Sequence, residues 1–322
     1  MAQARGADTT IALFEESTYN TTPGTPDGQR LYITSSSLSR TQNRIDSNTL
    51  SADRSRTTPA AGNISVGGPI NMELHAESMG TLLKHTLGAN ATTGVDPYVH
   101  TMTIGDLPVG LEIEHDYGGE ITGSGRYELF TGVRVAGATF TFPAEGYCTA
   151  SFDFMGATSA LGSSPTDATL TDNGRTPFSA FQASITEGGV AIAYVQSAEI
   201  RLDNGLDGSS YVIGGAGIRR EIPEGFATIT GTITALFESA ALLTKAVDGT
   251  SSSLKITLSR GDGLGSAGNE SMSFEVQHLK FEPASVPIEG PAGLVLTLPF
   301  KGSKSGTDLG LEVIVKNAVA TI

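Results

Sequence analysis

A glycine-rich turn is the first feature of the sequence whose residue types could bind a ligand. Gly263, Gly265 and Gly268 fit the spacing G-x-G-x-x-G, which in dinucleotide-binding proteins joins a strand to a helix. The helix is needed because its free N-terminal N–H groups face the pyrophosphate. Residues 271–276 alternate in polarity as a strand does, so we expect a hairpin tip here and no nucleotide site.

The histidine and acidic side chains also lack the spacing of a catalytic or metal site. His75 and His85 are ten residues apart, whereas a helical metal site needs histidines one turn apart. Glu112, Glu114 and Asp116 alternate along one predicted strand, a pattern more typical of a solvated strand face than of an acid–base pair. We therefore expect no enzyme, no cofactor and no metal.

Composition and charge narrow the class of protein further. The 322 residues include 40 glycines, and 34 acidic against 20 basic side chains give a formal charge of −14. This balance argues against ordinary DNA binding, which neutralises phosphates with lysine and arginine. Cys148 is the only cysteine, so neither an intramolecular disulfide nor a cysteine metal cluster is expected. No apolar signal region or membrane-length apolar run is present, which predicts a protein made in the cytoplasm without a membrane anchor.

The rest of the chain is organised around residues 62–88. Alternate positions of its first part are apolar or glycine, which predicts a half-buried strand with one face formed by Ile64, Val66, Gly68, Ile70, Met72 and Leu74. The spacing then becomes helical from Met79 onward. Ser78 is the predicted N-cap, and Gly88 the C-terminal stop.

The same stretch occurs a second time, at residues 225–249. Adding 163 maps Val66 onto Ile229 and Gly68 onto Gly231, and the second predicted helix again ends at a glycine, Gly249. Glycine in the same register, followed by the same change from strand to helix, predicts an internal duplication.

The duplication predicts a mainly β fold. It consists of two duplicated antiparallel β-sandwich or barrel-forming domains, each with one flanking α-helix. Residues 1–157 would form a polar N-terminal arm of about thirty residues, either disordered or ordered by a neighbour, followed by the first domain. Residues 158–177 would be a linker, and residues 178–322 the second domain with a C-terminal strand.

Two long polar loops stand in equivalent places, one before each repeated strand. They cover residues 44–61 and 204–224, and each carries a pair of arginines. Loops of about twenty residues without apolar periodicity usually have a function, so we expect these to reach a partner subunit.

These features resemble the tail tube proteins of long-tailed bacteriophages. The resemblance is strongest over residues 1–90, in the segments EESTYNTTP, SADRSRTTPAAGNISVGGPINMEL and LLKHTLG. It implies a structural virion protein that polymerises as stacked rings into the tail tube, assembled in the host cytoplasm. The genome would pass through this conduit without specific binding, and the tape measure protein and other tail proteins would be partners.

The resemblance also implies that a duplicated chain closes as a trimer with pseudo-sixfold symmetry, where single-domain members close as hexamers. The loops would contact the next ring, which gives the candidates Arg44, Asp53, Arg54, Arg56, Arg219, Arg220 and Glu221. The polar strand faces would line the lumen, which gives the candidates Asn63, Ser65, Asn71, Glu73, Thr228, Thr230, Thr232 and Thr234.

Two other classes of protein stay open on the sequence. A capsid-decoration or adhesin-like two-domain β-protein would explain the glycine- and threonine-rich strands and the acidity, but not the two matched loops. An enzyme whose site leaves no sequence signature is the third possibility.

Overall fold

The structure is a computed structural model that describes residues 3–50, 52, 54–288, 290–291, 293–308 and 310–322. Within these residues the chain is mainly β, with antiparallel strand pairs and two eight-residue α-helices, α1 (Gly80–Leu87) and α2 (Ala241–Asp248). The strands are β1 Thr10–Glu16, β2 Gln29–Leu31, β3 Ser35–Ser36, β4 Ser39–Ile45, β5 Ala60–Glu73, β6 Gly88–Gly94, β7 Tyr98–Ile104, β8 Gly110–Asp116, β9 Tyr127–Phe142, β10 Thr149–Gly156, β11 Thr158–Gly162, β12 Ala183–Glu187, β13 Val190–Ala191, β14 Val195–Asp203, β15 Thr228–Leu236, β16 Ser251–Ser259, β17 Ser271–Phe281, β18 Val295–Gly302 and β19 Leu311–Asn317.

The strands of the second half pair in the same pattern as those of the first. In the first half β4 pairs with β5, β5 with β10, β9 with β8, β10 and β11, and β8 with β1. In the second half β14 pairs with β15, β15 with β18, β17 with β16, β18 and β19, and β16 with β12. The register agrees as well, because Val66 lies opposite Gly156 and Ile229 opposite Gly302. The duplication itself stays a prediction.

One strand joins the two halves. The first part of β9 pairs with β8 and β11, and its second part pairs with β10 on one edge. On the other edge, Gly137 to Phe142 pair with β14 from the second half of the chain. The sheet therefore runs without a break through β4, β5, β10, β9, β14, β15 and β18.

The two glycines in the repeated register have a packing reason. A Cβ on Gly68, which also has a φ of +134°, would overlap the backbone carbonyl of Ser37. A Cβ on Gly231 would overlap the Phe300 ring and the carbonyl of Glu199. Glycine is required at both positions because a neighbouring strand or ring comes too close for any side chain.

The predicted faces and helix ends are largely confirmed. Ile64, Val66, Ile70, Met72 and Leu74 are all buried, as the alternation predicts. Gly88 and Gly249 are the C-caps of α1 and α2, with φ of 99° and 63°. The N-cap prediction is wrong, because Met79 occupies that position and the Ser78 hydroxyl bonds to His75 instead.

The core is continuous across the two halves. The Phe140 ring on β9 lies 4.6 Å from that of Phe274 on β17, and Phe142 lies 5.3 Å from the same ring. Two separate domains would each have a core of their own, whereas these aromatic contacts join both halves in one core.

The expectation of an unpacked N-terminal arm is wrong for the strand β1. Ile11, Leu13 and Phe14 are at most 2 % exposed, and β1 pairs with β8 along its whole length. The next segment is also held by its own chain, because Asn20 N–H donates to Glu16 and the Thr22 hydroxyl to Glu112. Residues 158–162, at the start of the predicted linker, form β11.

Candidate functional site

The lumen candidates of both halves lie on one face of the continuous sheet. Perpendicular to the strands, one row of register partners runs across six of them, as Asn71, Ser151, Thr139, Arg201, Thr230 and Lys301. All six side chains are polar, and the side chains on the opposite face of the same strands form the core. The structure thus brings both groups of candidates onto a single polar surface, here called the polar face. That this face lines a lumen stays a prediction.

The polar face carries charged side chains of both signs. They follow from the register of the paired strands and are Glu73, Asp153, Glu199, Asp203, Arg44, Arg134, Arg201 and Lys301. Asp153 and Arg201 were not among the predicted residues, although the alternation of β10 and β14 in the sequence marks both as outward-facing.

The loop of residues 204–227 is packed onto the first half of the chain. The Arg219 side chain is 8 % exposed, and its Nη1 donates to the carbonyl oxygen of Gly156 at 2.7 Å and to that of Val66 at 3.5 Å. Its Nη2 donates to the Ser65 hydroxyl at 3.1 Å, and its Nε to the carbonyl of Gly208 at 2.9 Å. A buried guanidinium that donates to four oxygens of this kind fixes the loop in place.

Further contacts attach the same loop at both ends. Asn204 is buried, and its amide donates at 3.0 Å to the carbonyls of Thr86 in α1 and Val135 in β9. Near the other end, Arg134 forms a 3.1 Å ion pair with Glu224. This loop therefore belongs to the fold as much as the strands do.

The corresponding loop of the first half is attached much less. Between β4 and β5, residues 46–59 form no helix or strand in the part that the structure describes, and nearly all of them are exposed. Arg56 pairs with Asp46 at 2.7 Å, but both side chains are more than half exposed, so the pair adds little stability.

The predicted contact residues fall into three groups. Arg44, Arg54, Arg56, Arg220 and Glu221 are exposed and available to another subunit. Arg219 is buried and already bonded inside its own chain. Asp53 lies outside the described residues.

A sequence model of the phage tail tube protein family matches residues 6–302, more than nine-tenths of the chain. The chain belongs to the phage tail tube protein family. A comparison with individual curated proteins gives no match. Membership makes the protein a structural component of the virion tail, of a family without enzymatic function, that assembles into the tube with other tail proteins.

Other functional classes receive no support from the described part of this tail tube protein. Among these residues no group of three histidine, cysteine or acidic side chains could hold a metal ion. No helix there is long and apolar enough to cross a membrane. Residues 260–270, which contain the three spaced glycines, join β16 to β17 as a hairpin tip, as predicted.

Sequence reasoning missed a group of buried acids beside the N-terminal segment. Glu16 on β1 and Glu112 and Glu114 on β8 are at most 5 % exposed, so the expected solvated strand face is wrong. Glu16 accepts the backbone N–H of Gly132 at 2.7 Å and that of Asn20 at 2.8 Å. The error arises because β8 is covered on both faces, which an alternating strand does not reveal.

Burial controls the protonation of this acidic group. It raises the pKa of Glu16 to about 7, partly offset by the two backbone hydrogen bonds. Burial also raises the pKa of Glu112 and of Glu114, and the hydrogen bonds from Thr22 and Thr166 act against it. Glu16 therefore changes its charge near neutral pH, at the point where the N-terminal segment is attached.

A second acid on β1 behaves in the opposite way. Glu15 accepts hydrogen bonds from His85 and Lys84 of α1, both at 2.7 Å. The bond from His85 is the largest cause that lowers the pKa of Glu15 to about 2. Burial lowers the pKa of His85, so a neutral imidazole donates its Nε2 proton to the carboxylate at pH 7. This contact joins the N-terminal strand to the first helix.

Proposed function

We propose that three copies of this chain close into a ring, that rings stack into the tail tube, and that the polar face lines its lumen. The observation that carries the proposal is the single polar row that crosses both halves of the chain. A sheet that continues from half to half has the form of a barrel wall, and closure around a ring removes its unpaired edges.

The size of the barrel favours three copies. Each chain contributes seven strands to the wall, and the contact between neighbouring chains adds one further strand position per chain. Three chains therefore give a barrel of about 24 strands. With strands about 4.8 Å apart and tilted by about 40°, this barrel is about 48 Å across between backbones. Its lumen would pass a DNA duplex with little free space on each side. Six copies would double the diameter and leave a channel far wider than the duplex needs.

The charge of the chain supports passage of the genome without specific binding. Binding of DNA requires several lysine or arginine contacts to phosphate, whereas the chain as a whole has a formal charge of −14. The exposed residues Arg44 at the end of β4 and Arg54 and Arg220 in the loops are proposed to contact the next ring, together with Glu221. Residues 1–157 and 178–322 are proposed as the two units that alternate around each ring, with residues 158–177 joining them.

Electron microscopy and native mass spectrometry of the purified protein at high concentration test this function. We expect tubes or rings with threefold symmetry and an assembly mass of three chains of 33.3 kDa per ring. Monodisperse monomers at every concentration would instead favour a decoration or adhesin-like protein. Six chains per ring would mean that the second half lies outside the barrel wall.

A further inference from the structure

We infer that the contact between the two halves of one chain is repeated between chains: β4 of one copy pairs with residues 282–288 of the next copy, and Arg56 of the first fixes that contact as Arg219 does within the chain. The inference rests on the proposed self-assembly and identifies its interacting surface and its partner, a second copy of this chain.

The argument begins with the correspondence between the halves. In the first half Ser36 pairs with Ile70, and in the second half Ala198 pairs with Ile233. The strands β3 and β4 therefore correspond to β14, with residue numbers that differ by 162. In the same way Val135 pairs with Phe154, and Phe281 pairs with Phe300. The strand β9 therefore corresponds to β17 and the residues that follow it, with residue numbers that differ by 146. By this offset, the part of β9 that pairs with β14 corresponds to residues 283–288.

Both edges that would form the repeated contact lack a partner strand in the single chain. In the part of the chain that the structure describes, β4 pairs with β5 alone, and six of its seven residues are exposed. Residues 282–288 form no strand, although the Glu282 N–H still donates to the carbonyl of Pro299 as a continuation of the β17–β18 pair. Their corresponding strands, β14 and the second part of β9, bond to each other over six residue pairs.

Exposed apolar side chains mark the same positions. Phe142 of β9 is 3 % exposed, whereas its counterpart Ile288 is 80 % exposed. The C-caps Gly88 and Gly249 align α1 with α2 by an offset of 161, so Thr86, which is buried beneath Asn204, corresponds to Val247, which is 66 % exposed. Both of these positions are covered in the first half and exposed in the second, as expected where the next copy covers them.

Arg56 occupies the position of Arg219. The offset of 163 that relates β5 to β15 also relates these two arginines, and it relates Ser65 to Thr228 and Val66 to Ile229. A hydroxyl is therefore kept at the position where the guanidinium would bind. The third acceptor, Gly156, is buried under Arg219, whereas its counterpart Gly302 is only half-buried.

The guanidinium of Arg56 would thus donate to the carbonyls of Ile229 and Gly302 and to the Thr228 hydroxyl of the neighbouring copy. Its present partner, Asp46, is an exposed carboxylate that is readily given up. The sequence reading placed Arg56 at the contact between rings, and the correspondence with Arg219 places it within the ring instead.

The side chains along β4 partly match those of β14. Gln42 corresponds to Asn204, so a carboxamide stands at the position that bridges α1 and β9 inside the chain. Arg40 corresponds to the buried Leu202. The contact between chains is therefore more polar than the corresponding contact within one chain. Contacts around the ring should therefore alternate between two kinds.

Cysteine cross-linking tests the pairing and its register. Arg201 lies directly opposite Thr139 in the internal contact, and their counterparts are Ser39 and Ser285, both exposed. A mixture of Ser39→Cys protein and Ser285→Cys protein, assembled and then mildly oxidised, should give disulfide-linked dimers on a non-reducing gel. The natural Cys148 is buried and does not compete.

The matched control is a mixture of Ser39→Cys with Pro287→Cys. Residue 287 is two positions along the strand and would lie about 7–8 Å from residue 39, too far for an unstrained disulfide. We expect at least tenfold more dimer with Ser285→Cys than with this control. Adding Arg56→Ala should lower the dimer yield several-fold. Adding Arg5→Ala, at an exposed arginine outside both loops, should leave the yield unchanged.

The outcomes separate this inference from the proposed function. Rings or tubes that form without the Ser39–Ser285 disulfide, or with equal cross-linking of the control, would overturn the contact and leave the tube intact. If unmodified protein forms neither rings nor tubes, the proposed function fails first. A protein carrying both Ser39→Cys and Ser285→Cys should give a series of cross-linked oligomers on a non-reducing gel. The mass of the heaviest band then gives the number of chains in one ring.

Discussion

The Nη1 atom of Arg219 lies 2.7 Å from the carbonyl oxygen of Gly156, across the boundary between the two halves of the chain. The guanidinium also stacks near the Tyr211 ring, 5.4 Å from its centroid, and the Tyr211 hydroxyl donates to the carbonyl of Ile64. These contacts attach the second long loop to the strand β5. They hold the two halves of the chain together.

Arg219→Ala should destabilise the single chain. The substitution leaves several backbone carbonyls without their charged donor, so the free energy of unfolding should fall by about 2–4 kcal/mol. Urea denaturation of the unassembled protein measures this. Arg220→Ala, at the next and exposed position, is the control and should change stability by about 0.5 kcal/mol or less. Equal effects of the two substitutions would contradict the anchoring role of Arg219.

Glu16→Gln should flatten the dependence of stability on pH. Because burial raises the pKa of Glu16 to about 7, its contribution is fully present below the unfolded pKa near 4.5 and is lost as the pH rises through 7. Glutamine mimics the protonated acid and does not titrate. Relative to wild type, the free energy of unfolding of the variant should therefore rise by about 2 kcal/mol between pH 5 and pH 8.

Denaturation at several pH values at fixed ionic strength checks the Glu16 prediction. Asp8→Asn is the control, since Asp8 lies in an exposed turn and is paired with the exposed Arg5. A constant difference between Glu16→Gln and wild type across this range would show that Glu16 titrates in the folded protein as it does in the unfolded chain.

Removal of the first long loop should block assembly without unfolding the protein. Those of residues 47–58 that the structure describes are almost entirely exposed, so a short glycine–serine replacement should leave the unfolding midpoint nearly unchanged. Electron microscopy should then show no tubes. The corresponding deletion in the second loop should instead destabilise the fold, because it removes Arg219 and its contacts. Normal tubes from the first deletion would exclude a role for this loop in assembly.

A cysteine on the polar face should become inaccessible to large probes after assembly. Thr232→Cys, labelled with a biotin maleimide before assembly, should bind streptavidin as a monomer. In the assembled tube the amount of bound streptavidin should fall at least tenfold. Ser124→Cys, in the exposed turn between β8 and β9, provides a label away from the polar face and should keep its binding. Equal streptavidin binding at Thr232 before and after assembly would place the polar face on the outside.

The local features of both halves could be predicted from the sequence. Alternation fixed which side chains of β5 are buried, from Ile64 to Leu74, because successive side chains of any strand point to opposite faces. Gly88 and Gly249 marked the helix ends because a left-handed or otherwise positive φ at that position is a local property of glycine. The lumen candidates were placed on one face for the same reason.

The pairing of distant strands could not be predicted in this way and is known from the fold alone. The pairing of β1 with β8 turned an expected arm into a buried strand, and it buried Glu112 on a face that alternation marked as solvated. The pairing of β9 with β14 merged two expected cores and buried Arg219. Contacts of this kind join residues more than fifty positions apart, and the periodicity within one strand carries no information about the partner that covers its other face or edge.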